Sequence, residues 1–451
     1  MKKFLFIAAS AALVLAACAK IENHQVTKET PVSFGVYTGR TLSTKAVSDT
    51  DFGTITTTEL RASTKGFGVF GYYTDDDDYS SGSYYANFMY NQQVKYNASK
   101  WEYSPIKYWP NEHGANAHSA NVDKLTFMAY APYVANKDIN NGVNSSVDDG
   151  SGAAADEGII GMTGNAVEAD ATLTFKVPAS SEEQIDLLYG RLKNQYIDVE
   201  GDNIPGSAPT APAYTAIENL TKQKTTGTVD IIFRHALAKC AFDIKEVVDQ
   251  VDPESSVNPS QGVDPNWTKV VVESLTLKGT NIGRQGDLNL YTGNWNVTTP
   301  LTAFAIAPLP SAISVDVAPT TYPAIAGVDE DGLASTIDVM LIPHYSDNGT
   351  PANPADDVFT TFTGIDIVYY VCTKDDNLAT GVSVVKNHID KDFETAINVQ
   401  KGFQYNITVL LGLTSVKLTA DVQAWDTDLN GDTLDNDAIS IDLPQNVTPA
   451  P

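Results

Sequence analysis

Apolar positions along the chain recur with a period of two, in short runs separated by clusters of Gly, Asn, Asp and Ser. In Pro31 to Tyr37 the residues Val32, Phe34 and Val36 share one face. In Gly66 to Tyr73, Phe67, Val69 and Gly71 stand opposite Gly68, Phe70 and Tyr72. Leu125 to Tyr130, Leu173 to Val177 and Val229 to Phe233 predict further strands, as do Val270 to Leu277 and Ala303 to Ala307. Ile365 to Val371, Tyr405 to Leu411 and Val416 to Val422 complete the series. Such runs, bounded by turn residues, predict antiparallel sandwiches. Only Glu182 to Leu192 is expected to carry a turn or two of helix.

The first eighteen residues break this pattern. Lys2 and Lys3 precede an apolar run from Phe4 to Leu15, and small residues lead into Cys18. A charged start, a short apolar stretch and a small-residue end make a secretory signal, excluded from the fold. The ending Leu15-Ala16-Ala17-Cys18 resembles the lipobox of bacterial lipoproteins, which implies lipidation at Cys18. A thioether-linked diacylglycerol and an amide-linked chain such as palmitate would anchor the chain, each buried methylene contributing about 0.8 kcal/mol. The expected divisions are 1–17 signal, 18–30 lipidated tether, 31–224 first β-sandwich, 225–425 second β-sandwich and 426–451 hinge with a final strand. The Pro-rich stretch Gly201 to Ala213 motivates the central boundary.

Charge narrows the function. The 451 residues carry 29 Lys and Arg against 56 Asp and Glu, a formal charge of -27. Such a surface repels phosphate backbones, so nucleic acid is excluded as a partner. Beyond Cys18, only Cys240 and Cys372 remain, each in or beside an apolar run and expected as buried free thiols. His235 lies inside an apolar strand and is expected as a hydrogen-bonded core imidazole. No nucleophile elbow, phosphate loop or metal-binding histidine motif is present, so no cofactor, no metal and no enzymatic activity are expected. One weak calcium alternative exists: Asp426, Asp428, Asn430 and Asp437 space like an EF-hand loop. Yet Glu is expected at the twelfth position, and β signals flank the segment.

Trp101, Tyr103, Tyr108 and Trp109 sit in a segment that Pro105 and Pro110 confine to edge or turn positions. They are suited to capping an open end of a sandwich, or alternatively to stacking on carbohydrate. At the other end of the chain, Ala438 to Leu443 presents Ile439, Ile441 and Leu443 on one face. An acidic run from Asp426 to Asp437 separates it from Trp425, so it is a candidate appended strand.

Several segments together resemble the fimbrillin family, the lipoprotein-derived pilins of type V pili. They begin with the lipobox at Cys18, the strand Val32 to Val36 and Gly66-Phe-Gly-Val-Phe-Gly-Tyr72. Trp101-Glu-Tyr-Ser-Pro-Ile-Lys-Tyr-Trp-Pro110, Phe127-Met-Ala-Tyr-Ala-Pro132 and Asp186-Leu-Leu-Tyr189 follow. Phe233-Arg-His-Ala-Leu-Ala-Lys239 and Val422-Gln-Ala-Trp425 close the series, which spans nearly the whole mature chain. The fold expected is all-β, with two tandem antiparallel β-sandwich domains of Greek-key, transthyretin-like type.

The resemblance implies a pilus subunit supporting adhesion, made as an outer-membrane lipoprotein and moved to a cell-surface fimbrium. A trypsin-like protease would cut after the first strand, and a neighbour's strand would fill the groove left behind. Strand addition of this kind draws affinity from ladder hydrogen bonds and register from alternate side chains. The displaced face would be Val32, Phe34 and Val36, and the donor face Ile439, Ile441 and Leu443. The candidate cuts follow Arg40 and Lys45; the family often shows Thr-Arg-Ala where this chain has Thr44-Lys45-Ala46, which raises Arg40 as the alternative. The partners implied are other pilus subunits, the protease and the lipid anchor. The rival reading is a non-polymerising surface adhesin or glycan-binding lipoprotein using Trp101 and Trp109.

Overall fold

The computed structural model describes residues 30–38, 57–110, 123–136, 157–165, 167–179, 181, 183–193, 214–225, 227–246, 268–306, 335–346, 358–375, 377–411 and 416–424. In the first half these form β1 (Ser33–Thr38), α1 (Thr57–Ala62), β2 (Phe67–Tyr73), β3 (Met89–Asn97), β4 (Lys100–Glu102) and β5 (Leu125–Ala131). Then come β6 (Gly158–Met162), β7 (Thr172–Lys176), β8 (Leu188–Lys193), β9 (Tyr214–Thr215), β10 (Ile217–Leu220), α2 (Lys222–Thr225) and β11 (Thr228–His235). The second half has β12 (Ala238–Glu246), β13 (Thr268–Gly283), β14 (Gln285–Asn289), β15 (Trp295–Val297), β16 (Pro300–Ile306) and β17 (Ser335–Pro343). It ends with β18 (Tyr345–Ser346), β19 (Val358–Lys374), β20 (Val382–Val399), β21 (Phe403–Leu411) and β22 (Val416–Ala424). No described helix is long and apolar enough to cross a membrane.

Two nine-stranded sheets dominate. The first runs β1-β11-β8-β5-β2-β3-β4, and the second β18-β19-β13-β17-β12-β21-β22. Each is antiparallel except at one pairing: β1 runs parallel to β11, and β12 parallel to β21. A four-stranded sheet, β15-β14-β7-β6, takes two strands from each half. The change from first to second sheet falls at Ala236 and Leu237, between β11 and β12. The expected all-β, two-unit architecture is what the chain adopts, and the mixed sheet joins the units.

The pattern of side chains explains three cores instead of two. In β2, Phe67 and Val69 enter the core beneath β1, whereas Phe70 and Tyr72 enter another core on the opposite face. β5 divides likewise, with Leu125, Phe127 and Ala129 on one side and Met128 and Tyr130 on the other. Strands buried on both faces read as continuous apolar runs, which is why neither alternates cleanly with polar residues. The middle core gathers Leu173, Phe175, Leu288, Trp295, Met340 and Ile342 from both halves. The third core fills the second sheet around Phe242, Phe362, Tyr369 and Tyr405.

Polar links reinforce the middle core. Trp295 Nε1 donates to the Ala236 carbonyl at 2.6 Å, and Met340 N–H donates to Gln184 Oε1 at 2.5 Å. Arg284 meets Glu157 at 3.0 Å. The helical turns expected over Glu182 to Leu192 do not form there. Gln184 and Asp186 are buried in irregular chain and Leu188 onward is β8. Tertiary pairing with β5 and β11 overrides the local preference.

Among the described residues the longest edge is β20, which pairs only with β19. Charged cross-strand contacts stud its face: Lys386 to Glu273 at 2.8 Å, His388 to Asp366 at 3.0 Å and Asp392 to Lys278 at 2.7 Å. Charges on an edge strand discourage unwanted pairing.

Candidate functional site

β1 lies in a slot. Along one edge it pairs with β11 from Ser33↔Thr228 to Thr38↔Phe233. Against its other edge lies the segment 103–110: Val32 N–H donates to the Lys107 carbonyl at 2.9 Å, and Trp109 N–H donates to the Thr30 carbonyl at 3.0 Å. Pro31 and Tyr108 form an antiparallel bridge beside them. The Tyr103 hydroxyl adds a donation to the Val32 carbonyl at 2.9 Å. The sheet therefore nearly closes on itself through β1, because 103–110 follows β4 at its far end.

The inward face of β1 is apolar. Val32 and Phe34 are 2% and 5% exposed, and Val36 is half-buried against the same core. The Phe34 ring packs edge-on against Phe67 at 6.1 Å and Phe127 at 5.7 Å, and tilted against Tyr103 at 5.7 Å. Such edge-to-face pairs contribute about 0.5–1.5 kcal/mol each beyond area burial. Removing β1 would bare Phe67 and Phe127 and leave the β11 ladder open on that side. The slot thus has the two requirements of strand replacement, a backbone edge and apolar pockets at alternate positions.

The aromatic segment differs from its glycan-stacking alternative. Trp101 and Trp109 are 8% and 4% exposed, so neither offers a face to a sugar, and only Tyr108 of the four stands out in solvent. Trp101 packs on Phe67 at 5.0 Å, and Trp109 on Phe127 at 6.3 Å. They line the slot instead of capping an open end. The sequence pattern located this segment without revealing that it clasps β1.

Other polar residues are held for structure. His235 Nδ1 lies 2.7 Å from Asp186 Oδ2, both fully buried, as expected for a core imidazole. Cys240 and Cys372 are free and buried, and burial pushes both thiols up. Asp170 receives hydrogen bonds from Tyr79 at 2.7 Å, Ser81 at 2.6 Å, Gly82 N–H at 3.0 Å and Asn289 at 2.9 Å. Burial opposes its charge, but these donors outweigh it and hold the carboxyl below the usual range. Among the described residues no group of three His, Cys, Asp or Glu is placed to hold a metal.

Val32, Phe34 and Val36 are thus brought together in one slot. Cys18, Arg40, Lys45, the acidic residues Asp426, Asp428, Asn430 and Asp437, and the strand face Ile439, Ile441 and Leu443 lie outside the described residues.

These features define an all-β protein of two sheet-built units whose N-terminal strand completes the first unit from its edge. No family model matches the chain. It is similar to the fimbrium subunit Fim1C of Phocaeicola vulgatus, 22% identical over 462 residues, covering 96% of this chain and 98% of that protein. A solved structure of a fimbrial protein from Bacteroides vulgatus shares the fold, with a TM-score of 0.54 and 20% identity over 88% of this chain and 99% of that one. The resemblance to the fimbrillin family is thereby borne out.

Proposed function

We propose that this chain is a structural subunit of a cell-surface fimbria, exported as a lipoprotein and assembled by exchange of β1 for a strand from a neighbouring subunit. The observation that carries the reading is the seating of β1 between β11 and 103–110, with Val32 and Phe34 as its apolar plugs. Cys18 would hold the precursor at the outer membrane until a trypsin-like protease cuts after Arg40 or Lys45. Both basic residues fall in the connection between β1 and α1, so either cut would leave β1 attached only by its contacts. The donor would be the face Ile439, Ile441 and Leu443 of another copy, whose alternation matches that of Val32, Phe34 and Val36. No catalysis by the chain is required. The similarity to a fimbrium subunit along nearly the whole chain supports this role.

N-terminal sequencing of the surface-assembled form tests the reading. A start at Thr41 or Ala46 is expected, and a blocked, lipidated Cys18 in the polymer would overturn the exchange. Replacing Ile439, Ile441 and Leu443 with Asp should abolish polymers while leaving the monomer folded. Unimpaired polymers from that variant would remove these residues from the donor role.

A further inference from the structure

Among the described residues β20 has β19 along one side and no strand along the other. Its register on β19 is regular from Val382 to Asp392 and shifts only beyond, between Phe362 and Gly364 of β19. Lys386, His388, Asp390 and Asp392 are spaced by two, so they share one face. Each of their side chains is half or more exposed. On the opposite face Ile389 and Phe393 pack against the third core, whereas Val385 is 52% exposed. In the described strands Val385 is the one large apolar side chain left in solvent.

The charged face divides in two. Lys386 and His388 make its basic half, seated beside Glu273 and Asp366. Asp390 and Asp392 make its acidic half, where both carboxylates share the single ammonium of Lys278. Two anions on one cation leave that half short of positive charge.

Turned end for end, the strand complements itself. Two copies of β20 set antiparallel about a two-fold axis at Ile389 place Lys386 opposite Asp392 and His388 opposite Asp390, each twice. Asn387 then meets Lys391, and the exposed Val385 comes beside Phe393. An axis at residue 388 sets His388 against itself and Lys391 against Val385, and an axis at 390 sets Asp390 against itself. Opposite charges across a strand pair favour it, and like charges oppose it. The charges that turn away other strands therefore fit this one register. We propose that β20 is an interface for a second copy of this chain, the two strands pairing edge to edge about Ile389. Ladder hydrogen bonds supply the affinity, the charges supply the register, and the contact is the same patch on both copies. It uses neither β1 nor its slot, so it stands whether or not strands are exchanged.

Sedimentation of the full-length chain over a range of concentrations tests it. The unaltered protein is expected in a monomer–dimer equilibrium. Lys386→Asp and Asp392→Lys, each alone, should weaken the dimer about tenfold or more, because each sets like charges opposite one another. Mixing the two variants should restore dimers, since Asp at 386 then faces Lys at 392 and Lys386 faces Asp392. A variant that merely misfolds would not recover on mixing. Oxidative cross-linking fixes the register. Opposed residues in an antiparallel pair lie about 4.5–5.5 Å apart at Cα, within reach of a disulfide. Ile389→Cys should therefore cross-link two copies, whereas Asn387→Cys, on the same face but displaced from its own counterpart, should not. A protein that stays monomeric and gives no Ile389→Cys cross-link would overturn the interface. So would dimers that neither charge variant weakens, or equal cross-linking from both cysteine variants.

Discussion

Trp109 Nε1 donates to the Gly227 carbonyl at 2.9 Å, and that same carbonyl receives the N–H of Ser33 at 3.1 Å. The clasp and the strand it encloses therefore share one acceptor at the mouth of the slot. Trp109→Ala should cost about 3–5 kcal/mol, since a buried indole is lost with its hydrogen bond. Trp109→Phe keeps most of the burial and leaves Ser33 on the carbonyl, so about 1 kcal/mol is expected. Urea unfolding measures both. Equal costs would place the hydrogen bond, and not the packing, at the centre of the clasp.

The three inward side chains of β1 differ in burial, and their contributions should follow. Phe34→Ala should cost about 3–5 kcal/mol, because its ring meets three aromatics, and Val32→Ala less. Val36 is half-buried, so Val36→Ala should cost roughly 1 kcal/mol or less. Unfolding midpoints of the three variants give the order. A Val36 effect matching that of Phe34 would contradict the seating of β1.

Gly293 is positioned where a side chain fits badly twice over. Its φ is +72°, and a Cβ there would lie 2.3 Å from Arg191 Nη2 and 2.4 Å from the Tyr189 ring. Gly381 has a similar φ of +69° but open space around it. Gly381→Ala should therefore cost about 1 kcal/mol from backbone strain alone. Gly293→Ala should cost on the order of 2–4 kcal/mol, and the difference isolates the close approach across the seam. Thermal or urea unfolding of the two variants provides the comparison.

How far the sequence could be read depended on the range of the interactions involved. Alternation at Val32, Phe34 and Val36 marked a strand with one apolar face, and the structure buries that face. The same period in Gly66 to Tyr73 marked β2, yet nothing local told that both its faces are covered. That depends on Phe175 and Trp295, far away in the chain. The strand period likewise identified Val416 to Val422 but not β20, whose residues from Asn387 to Glu394 are mostly charged or polar. An edge strand held by cross-strand ion pairs carries little hydrophobic signal. The clasp was visible as an aromatic segment with two prolines. Its function needed the contacts of Lys107 and Trp109 with residues over seventy positions earlier.

The thiols give a direct readout of core integrity. Cys240 is fully buried and Cys372 is 3% exposed, and burial disfavours the thiolate of each. The thiolate is the reactive form, so neither should react with an aromatic disulfide reagent in the native protein. Both should react once urea unfolds the second sheet. Rapid native labelling of Cys240 would mean that β12 opens locally.

Asp170 should make the seam between the units sensitive to acid. Tyr79, Ser81 and Gly82 reach it from the first half and Asn289 from the second, so one carboxylate joins both. Burial alone would raise its pKa, but the four donors lower it in the folded protein. Its ordinary value, about 3.9, applies once the chain unfolds. A depressed folded pKa means that the unfolded state takes up the proton first. The stabilisation is complete above about pH 4–5 and disappears as pH falls through the folded value. Asp170→Asn removes the charge and turns one acceptor oxygen into a donor, set either against Tyr79 and Gly82 N–H or against Ser81 and Asn289. It should cost about 2–3 kcal/mol at pH 7. Urea midpoints of the two proteins between pH 7 and pH 2 should converge towards the acid end. A gap that stayed constant across that range would show that the ionised carboxylate contributes nothing to the seam.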